Sequence, residues 1–309
     1  MYFNYDSVAA LVKEAINQHC TLSSLILKQQ AQQMELSEKE IFQKMKETYA
    51  IMAACIQPGS APDLRSISGL TGGDAYKMKK AAETGSTLCG SVFGGAIYRA
   101  LAVSELNAAM GRVVAAPTAG SCGILPAAVL TMQEQKNFSE EACVMALFTA
   151  SAIGMVIAHN ASLSGAQGGC QAECGSASAM AAAALTELAG GRPEMIEHAV
   201  AIALKNSLGL VCDPVAGLVE IPCIKRNVFG VTNALASAEL ALAGIQSAIP
   251  ADEVIVAMKK IGDAMSDTLK ETAEGGLAAT PTGRRLFEQV FGSAENISVR
   301  SCQRCSSCR

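Results

Sequence analysis

Four cysteines, Cys170, Cys174, Cys212 and Cys223, stand in glycine- or proline-bearing stretches of this 309-residue chain. Irregular backbone of that kind can aim several thiolates at one point, where they serve as nucleophiles or as soft metal ligands. The spacings Cys170-x3-Cys174 and Cys212-x10-Cys223 are not those of zinc fingers. Thiolates gathered from separate loops can hold an iron–sulfur cluster, and three of them leave one iron of a four-iron cluster without a protein ligand. Such an iron acts as a Lewis acid toward a substrate oxygen.

The other cysteines divide by context. Cys20, Cys55, Cys89 and Cys143 fall in apolar, helix-like stretches and read as packing residues, since a free thiol behaves as a small hydrophobe. Cys302, Cys305 and Cys308 form a Cys-x2-Cys-x2-Cys run that lacks the fourth cysteine and the proline of a ferredoxin motif. A second cluster, a thiolate cap on an open iron, or a flexible oxidisable tail are its three readings. Residues 1–13 carry no basic stretch ahead of an apolar one, so no secretory signal is expected. The expectation is therefore a cytoplasmic protein with reduced thiols.

Elements must bring those thiols together. Half of the chain is hydrophobic, only 17% is charged, and there is no tryptophan. A core of alanine, leucine, isoleucine, valine and methionine among 27 glycines implies closely packed helices. The net charge of −4 argues against a nucleic-acid partner, which needs a basic face. Residues 142–172 carry no charged side chain, long enough to cross a bilayer. Their second half holds His159, Asn160, Ser162, Ser164 and Gln167, and polar irregular backbone cannot face lipid. A buried helix running into a buried polar loop, with no membrane, is the reading adopted.

Helices are expected over 7–18, from a Ser37/Glu40 capping box to about 56, and over 74–83, 88–110 and 124–135. Further helices are expected from a Ser139 cap to 160, then over 176–188, 193–208, 227–244, 251–270 and 284–291. Between them lie five loops rich in glycine and hydroxyls, at 68–74, 117–123, 160–175, 212–223 and 274–283. Such loops offer N–H groups and hydroxyls near helix starts, suited to small anions. Strand signals are nearly absent, and no linker divides the chain. The expected architecture is mostly α: one helical domain, residues 1–292, whose glycine-rich loops converge on an iron–sulfur site, followed by a flexible cysteine-bearing tail, 293–309.

The loops also carry a resemblance. Leu70-Thr-Gly-Gly-Asp74, Ala116-Pro-Thr-Ala-Gly-Ser121, Asn160-Ala-Ser-Leu-Ser-Gly-Ala166 and Gly168-Gly-Cys-Gln-Ala-Glu173 stand in that order. Cys212-Asp-Pro-Val-Ala-Gly-Leu-Val-Glu-Ile-Pro-Cys223 and Gly275-Gly-Leu-Ala-Ala-Thr-Pro-Thr-Gly283 follow. Together they resemble the iron–sulfur-dependent bacterial L-serine dehydratases, in the α chain, over about residues 5–291. The resemblance implies conversion of L-serine to pyruvate and ammonia with a [4Fe–4S] cluster and without pyridoxal phosphate. It places the cluster ligands on Cys170, Cys212 and Cys223, leaves Cys122 and Cys174 as neighbours, and implies a separate β chain as partner.

The chemistry implied needs a grip on the substrate's carboxylate and ammonium. Ser68, Thr71, Gly72, Gly73 and Asp74, Thr118 and Ser121, and Asn160, Ser162 and Ser164 are the candidates. No catalytic base is assigned from sequence. His159 ends an apolar helix, His19 and His198 sit on amphipathic ones, and Lys225 and Arg226 supply positive potential near Cys223. The alternatives are a related hydro-lyase for another small hydroxy acid and a non-catalytic cluster-binding or redox subunit.

Overall fold

The computed structural model describes residues 5–292, so the tail cysteines Cys302, Cys305 and Cys308 lie outside the described residues. Fourteen α-helices carry the described chain. The first six are α1 (Val8–Asn17), α2 (Leu22–Gln33), α3 (Glu38–Ala54), α4 (Ile56–Gly59), α5 (Asp74–Glu83) and α6 (Gly90–Ala108). Next come α7 (Ile124–Lys136), α8 (Glu140–Asn160), α9 (Gly165–Gly168), α10 (Ser176–Leu188) and α11 (Pro193–Lys205). The last are α12 (Cys223–Leu242), α13 (Ala251–Ala264) and α14 (Pro281–Phe291). Among the described residues there is no strand, only one isolated parallel bridge between Cys212 and Lys270.

Local chemistry explains most of the boundaries. Ser37 accepts the Glu40 N–H while Glu40 returns a bond to the Ser37 N–H, which closes the capping box that starts α3. Ser7, Ser139 and Thr280 cap α1, α8 and α14, and Pro193 and Pro281 occupy first turns, where a missing N–H costs nothing. Two expected boundaries move by more than three residues. The last long helix ends at Ala264 rather than 270, because Cys212 N–H bonds to the Leu269 carbonyl and Glu271 N–H to the Cys212 carbonyl, at 2.8 Å each. Those pairs pull 265–271 out of helical register. Helix α12 begins at Cys223 rather than 227, directly after Pro222.

One contiguous core runs through the bundle. Helix α8 is long and apolar enough to span a bilayer, yet most of it is buried within the protein. Its partner α10 is alanine-rich, and Ala177, Ala179 and Ala181 to Ala184 are fully buried. Small side chains let the two axes approach closely, and at Gly154 the Met180 sulfur stands 3.0 Å from where a Cβ would project. This rigid central layer ends, on one side, at the loops bearing the cysteines.

Candidate functional site

Helix α8 passes through residues 161–164 and α9 to Cys170, and the chain continues as a π-helical turn, Gln171–Gly175, into α10. The sequence suggests plain loop there, but the wider turn shifts register between Cys170 and Cys174; such bulges recur at functional sites. The Gln171 side chain fixes it by donating to the Met258 carbonyl at 3.0 Å and accepting the Gly209 N–H at 2.9 Å. Cys212 arrives from the next loop, held by its bridge to 269–271. Gly165 lets it in: a Cβ there would meet the Cys212 sulfur at 2.8 Å.

Cys170 Sγ, Cys212 Sγ and a carboxylate oxygen of Glu173 lie within 4.8 Å of one another, the two cysteines buried and Glu173 half-buried. Cys223 is buried at the start of α12 and close enough for its charge to act with those of Cys170 and Glu173, but it stands outside that tight group. Cys174 is buried as well, a free thiol beside Cys170 whose interaction with it raises the Cys174 thiol. The Cys174 and Cys212 thiols donating to the Cys170 sulfur, helped by the Arg226 guanidinium, hold its pKa down at about 3. Cys174 and Cys212 are pushed up, because each gives its proton to that bond and is buried. Burial also raises Cys223, and it raises Glu173 to about 7.

One further loop closes on this point, and a second is tied to the segment between Cys212 and Lys225. Thr118 donates to Glu173 Oε1 and pairs with Ser121 at 3.0 Å. Gly120 makes room for that carboxylate: a Cβ there would fall 2.6 Å from Oε1 and 2.8 Å from Oε2. Asn227 ties the same loop to α12, accepting the Gly123 N–H at 2.9 Å and donating to the Gly120 and Cys223 carbonyls. Thr71 donates to the buried Glu220 at 2.7 Å, and Asp74 pairs with Lys225 at 2.6 Å, so the 68–74 loop is fastened to the 212–225 segment.

The remaining candidates make contacts within the chain. The Gly73 and Asp74 N–H groups donate to the buried carboxylate of Glu105, each at 3.0 Å. Gly72, with φ +130, presses against the Leu64 carbonyl, and Ser68 accepts the Leu70 N–H. Asn160 donates to the Asp6 and Val156 carbonyls, while Ser162 bonds Gln167 and the Ser164 N–H. His159 is exposed, 3.7 Å from Asp6, and His198 accepts the Ser247 N–H. The sequence reading missed roles for Glu173, Glu105, Glu220, Asp213 and Asn227. Arg226 and Asn227 were findable, since positions three and four beyond Cys223 share its helix face.

A helical protein that delivers buried thiols and a carboxylate from separate glycine-rich loops to one point has a centre able to bind metal. Within that class its family is definite. The serine dehydratase alpha chain model matches residues 17–278, and the chain belongs to this family. It is 49% identical over 294 residues to a Bacillus subtilis protein named "Probable L-serine dehydratase, alpha chain", covering 95% of this chain and 97% of that one. It is 44% identical over 262 residues to the L-serine dehydratase alpha chain of Peptoniphilus asaccharolyticus, covering 85% and 90%. Against the L-serine dehydratase of Streptomyces coelicolor, identity is 43% over 249 residues, which make up 78% of this chain and 54% of that protein.

Proposed function

We propose that this chain is the catalytic α chain of an L-serine dehydratase, forming pyruvate and ammonia in cytoplasmic amino-acid catabolism with a separate β chain. The observation that carries the reading is the meeting of Cys170, Cys212 and Glu173 within 4.8 Å, inside a chain of this family. The donor set fits a [4Fe–4S] cluster: soft sulfur from the 170 turn, the 212 loop and the start of α12, with Gly165 leaving room at Cys212. Cys170, Cys212 and Cys223 would hold it. When bound, such a cluster supplies Lewis acidity at an iron that lacks a protein ligand, which eases loss of a poor hydroxyl leaving group.

The chain's own groups do the rest. Thr118 and the absent Cβ of Gly120 set Glu173 against the sulfurs, with Oε1 accepting the hydroxyl and Oε2 free of that bond. Glu173 Oε2 is the atom proposed to take the α-proton of serine, the step for which the sequence offered no base. Ser121, on the Thr118 hydroxyl, and Thr71, on Glu220, are the proposed contacts for the substrate's charged ends. Elimination yields an enamine, which tautomerises and hydrolyses to pyruvate and ammonia.

The test is anaerobic purification with and without the β chain, iron and sulfide analysis, and a pyruvate assay on L-serine. Iron, sulfide and air-sensitive turnover insensitive to pyridoxal phosphate scavengers are expected. Full activity of iron-free, air-exposed protein would sink the reading, and a reversible redox signal without turnover would favour a redox subunit.

A further inference from the structure

Arg226 lies one turn into α12, three residues after Cys223. Its guanidinium is committed in three directions. Nη1 donates to the Val211 carbonyl at 2.8 Å and to Cys170 Sγ at 3.4 Å, and Nη2 donates to Asp213 Oδ1 at 2.7 Å. The Arg226 and Asp213 side chains are only 14% and 5% exposed. Asp213 is itself fixed, since its Oδ2 accepts the Leu277 N–H at 2.8 Å. Gly276 allows that approach: its φ is +57, and a Cβ would fall 2.4 Å from Asp213 Oδ2. The last glycine-rich loop therefore locks the carboxylate, and the carboxylate locks the guanidinium.

A buried Arg–Asp pair needs no sulfur to satisfy it. The bond to Cys170 Sγ is additional, and it falls on the cysteine that also receives the Cys174 and Cys212 thiols. We propose that Arg226 is a positioning residue for the thiol centre: held by Asp213 and Val211, it donates an N–H to Cys170 Sγ, fixes that sulfur's direction and withdraws electron density from it. Groups of this kind tune the metals that a sulfur holds, and hydrogen bonds to sulfur raise reduction potentials. Lysine cannot replace the fork, because a point charge on a flexible stem cannot span Asp213, Val211 and Cys170 together. The inference rests on the metal-binding reading above.

Cobalt(II) alone is the probe, added anaerobically to the full chain, with thiolate-to-cobalt charge transfer as the signal. Arg226→Gln and Arg226→Lys should lower cobalt affinity by about 10- to 100-fold and shift the band. Asp213→Asn should do the same more weakly, because the guanidinium loses its anchor. After iron reconstitution, the midpoint potential of Arg226→Lys should fall below that of the unaltered chain. If Arg226→Gln does not fold, Arg226→Lys, which keeps the charge, decides by the same signals. Unaltered affinity, band and potential in Arg226→Lys overturn the inference, provided that Cys170→Ala weakens the band. No thiolate band in the unaltered chain overturns the metal-binding reading, and the inference with it.

Discussion

Asn227 accepts the Gly123 N–H at 2.9 Å, so the helix that starts at Cys223 fixes the loop that holds Glu173. Both residues are on buried backbone contacts, and the same side chain donates to the Gly120 carbonyl at 2.7 Å. One amide thereby couples a proposed cluster ligand to the proposed base. Truncation leaves a buried donor and a buried acceptor unpaired, at a cost of about 1–3 kcal/mol for each group. Asn227→Ala should therefore lower the thermal midpoint by several degrees and reduce turnover in whatever protein remains folded. A variant of unchanged midpoint and unchanged turnover would show that the amide couples nothing.

Glu105 supplies a pH signature. Burial raises its carboxyl above the usual glutamate value, outweighing the N–H donors of Ala75, Asp74 and Gly73, with negative Asp74 adding to the rise. A folded value above the unfolded one means a contribution present in full below the usual glutamate value and lost as pH rises through the folded value. Asp74 has the opposite sign, being held low first by Lys225 and then by Lys77, but it is common to both proteins compared. The stability of the unaltered chain relative to Glu105→Gln should grow as the buffer goes from pH 7 to pH 5, read by thermal unfolding. A difference that is flat or shrinks contradicts the burial argument.

The same contrast between local and distant causes governs what the sequence revealed. The Ser37–Glu40 box and the 74–83 and 176–188 helices follow from caps and apolar spacing, which act within a few residues. The end of α13 does not, because it is decided by Cys212, more than fifty positions away, bonding to 269–271. Within the site, cysteines in glycine loops pointed to sulfur chemistry. Glu105 and Glu220 were opaque: each reads as an ordinary surface charge, and only the fold shows them buried against the 71–75 segment. Amides of 73 and 74 that looked free for a substrate anion are already answered by a carboxylate of the chain itself.

Gly120 isolates the role of the Glu173 carboxylate. No positive φ demands glycine there, so an added methyl acts through space alone, striking Glu173 2.6–2.8 Å away. Overpacking of this kind costs about 1–3 kcal/mol. Gly120→Ala should fold, retain iron and lose at least about 10-fold in kcat, as expected when general catalysis worth 10²–10⁴ is misaligned. Glu173→Gln should retain iron and lose more. If Glu173→Gln loses iron together with turnover, Glu173 is a ligand rather than the base.

Cysteine replacements test which sulfurs would hold the proposed cluster. Serine exchanges a soft thiolate for a harder hydroxyl that does not readily ionise. Cys170→Ser, Cys212→Ser and Cys223→Ser should each lose iron and turnover together. Cys174, buried beside Cys170, should as serine keep most of the iron while changing activity through that contact. Cys143 provides the matched control. It is fully buried in the first turn of α8, whereas the thiol turn follows the other end of that helix, and its thiol is raised to about 11 by burial. Cys143→Ser should cost stability through a buried hydroxyl, about 1–3 kcal/mol, and leave the iron in place. Cys223 is the sharpest arm, because it alone of the proposed ligands stands outside the tight Cys170–Glu173–Cys212 group. Full iron in Cys223→Ser beside iron loss in Cys174→Ser would move the third ligand from α12 to the π-helical turn.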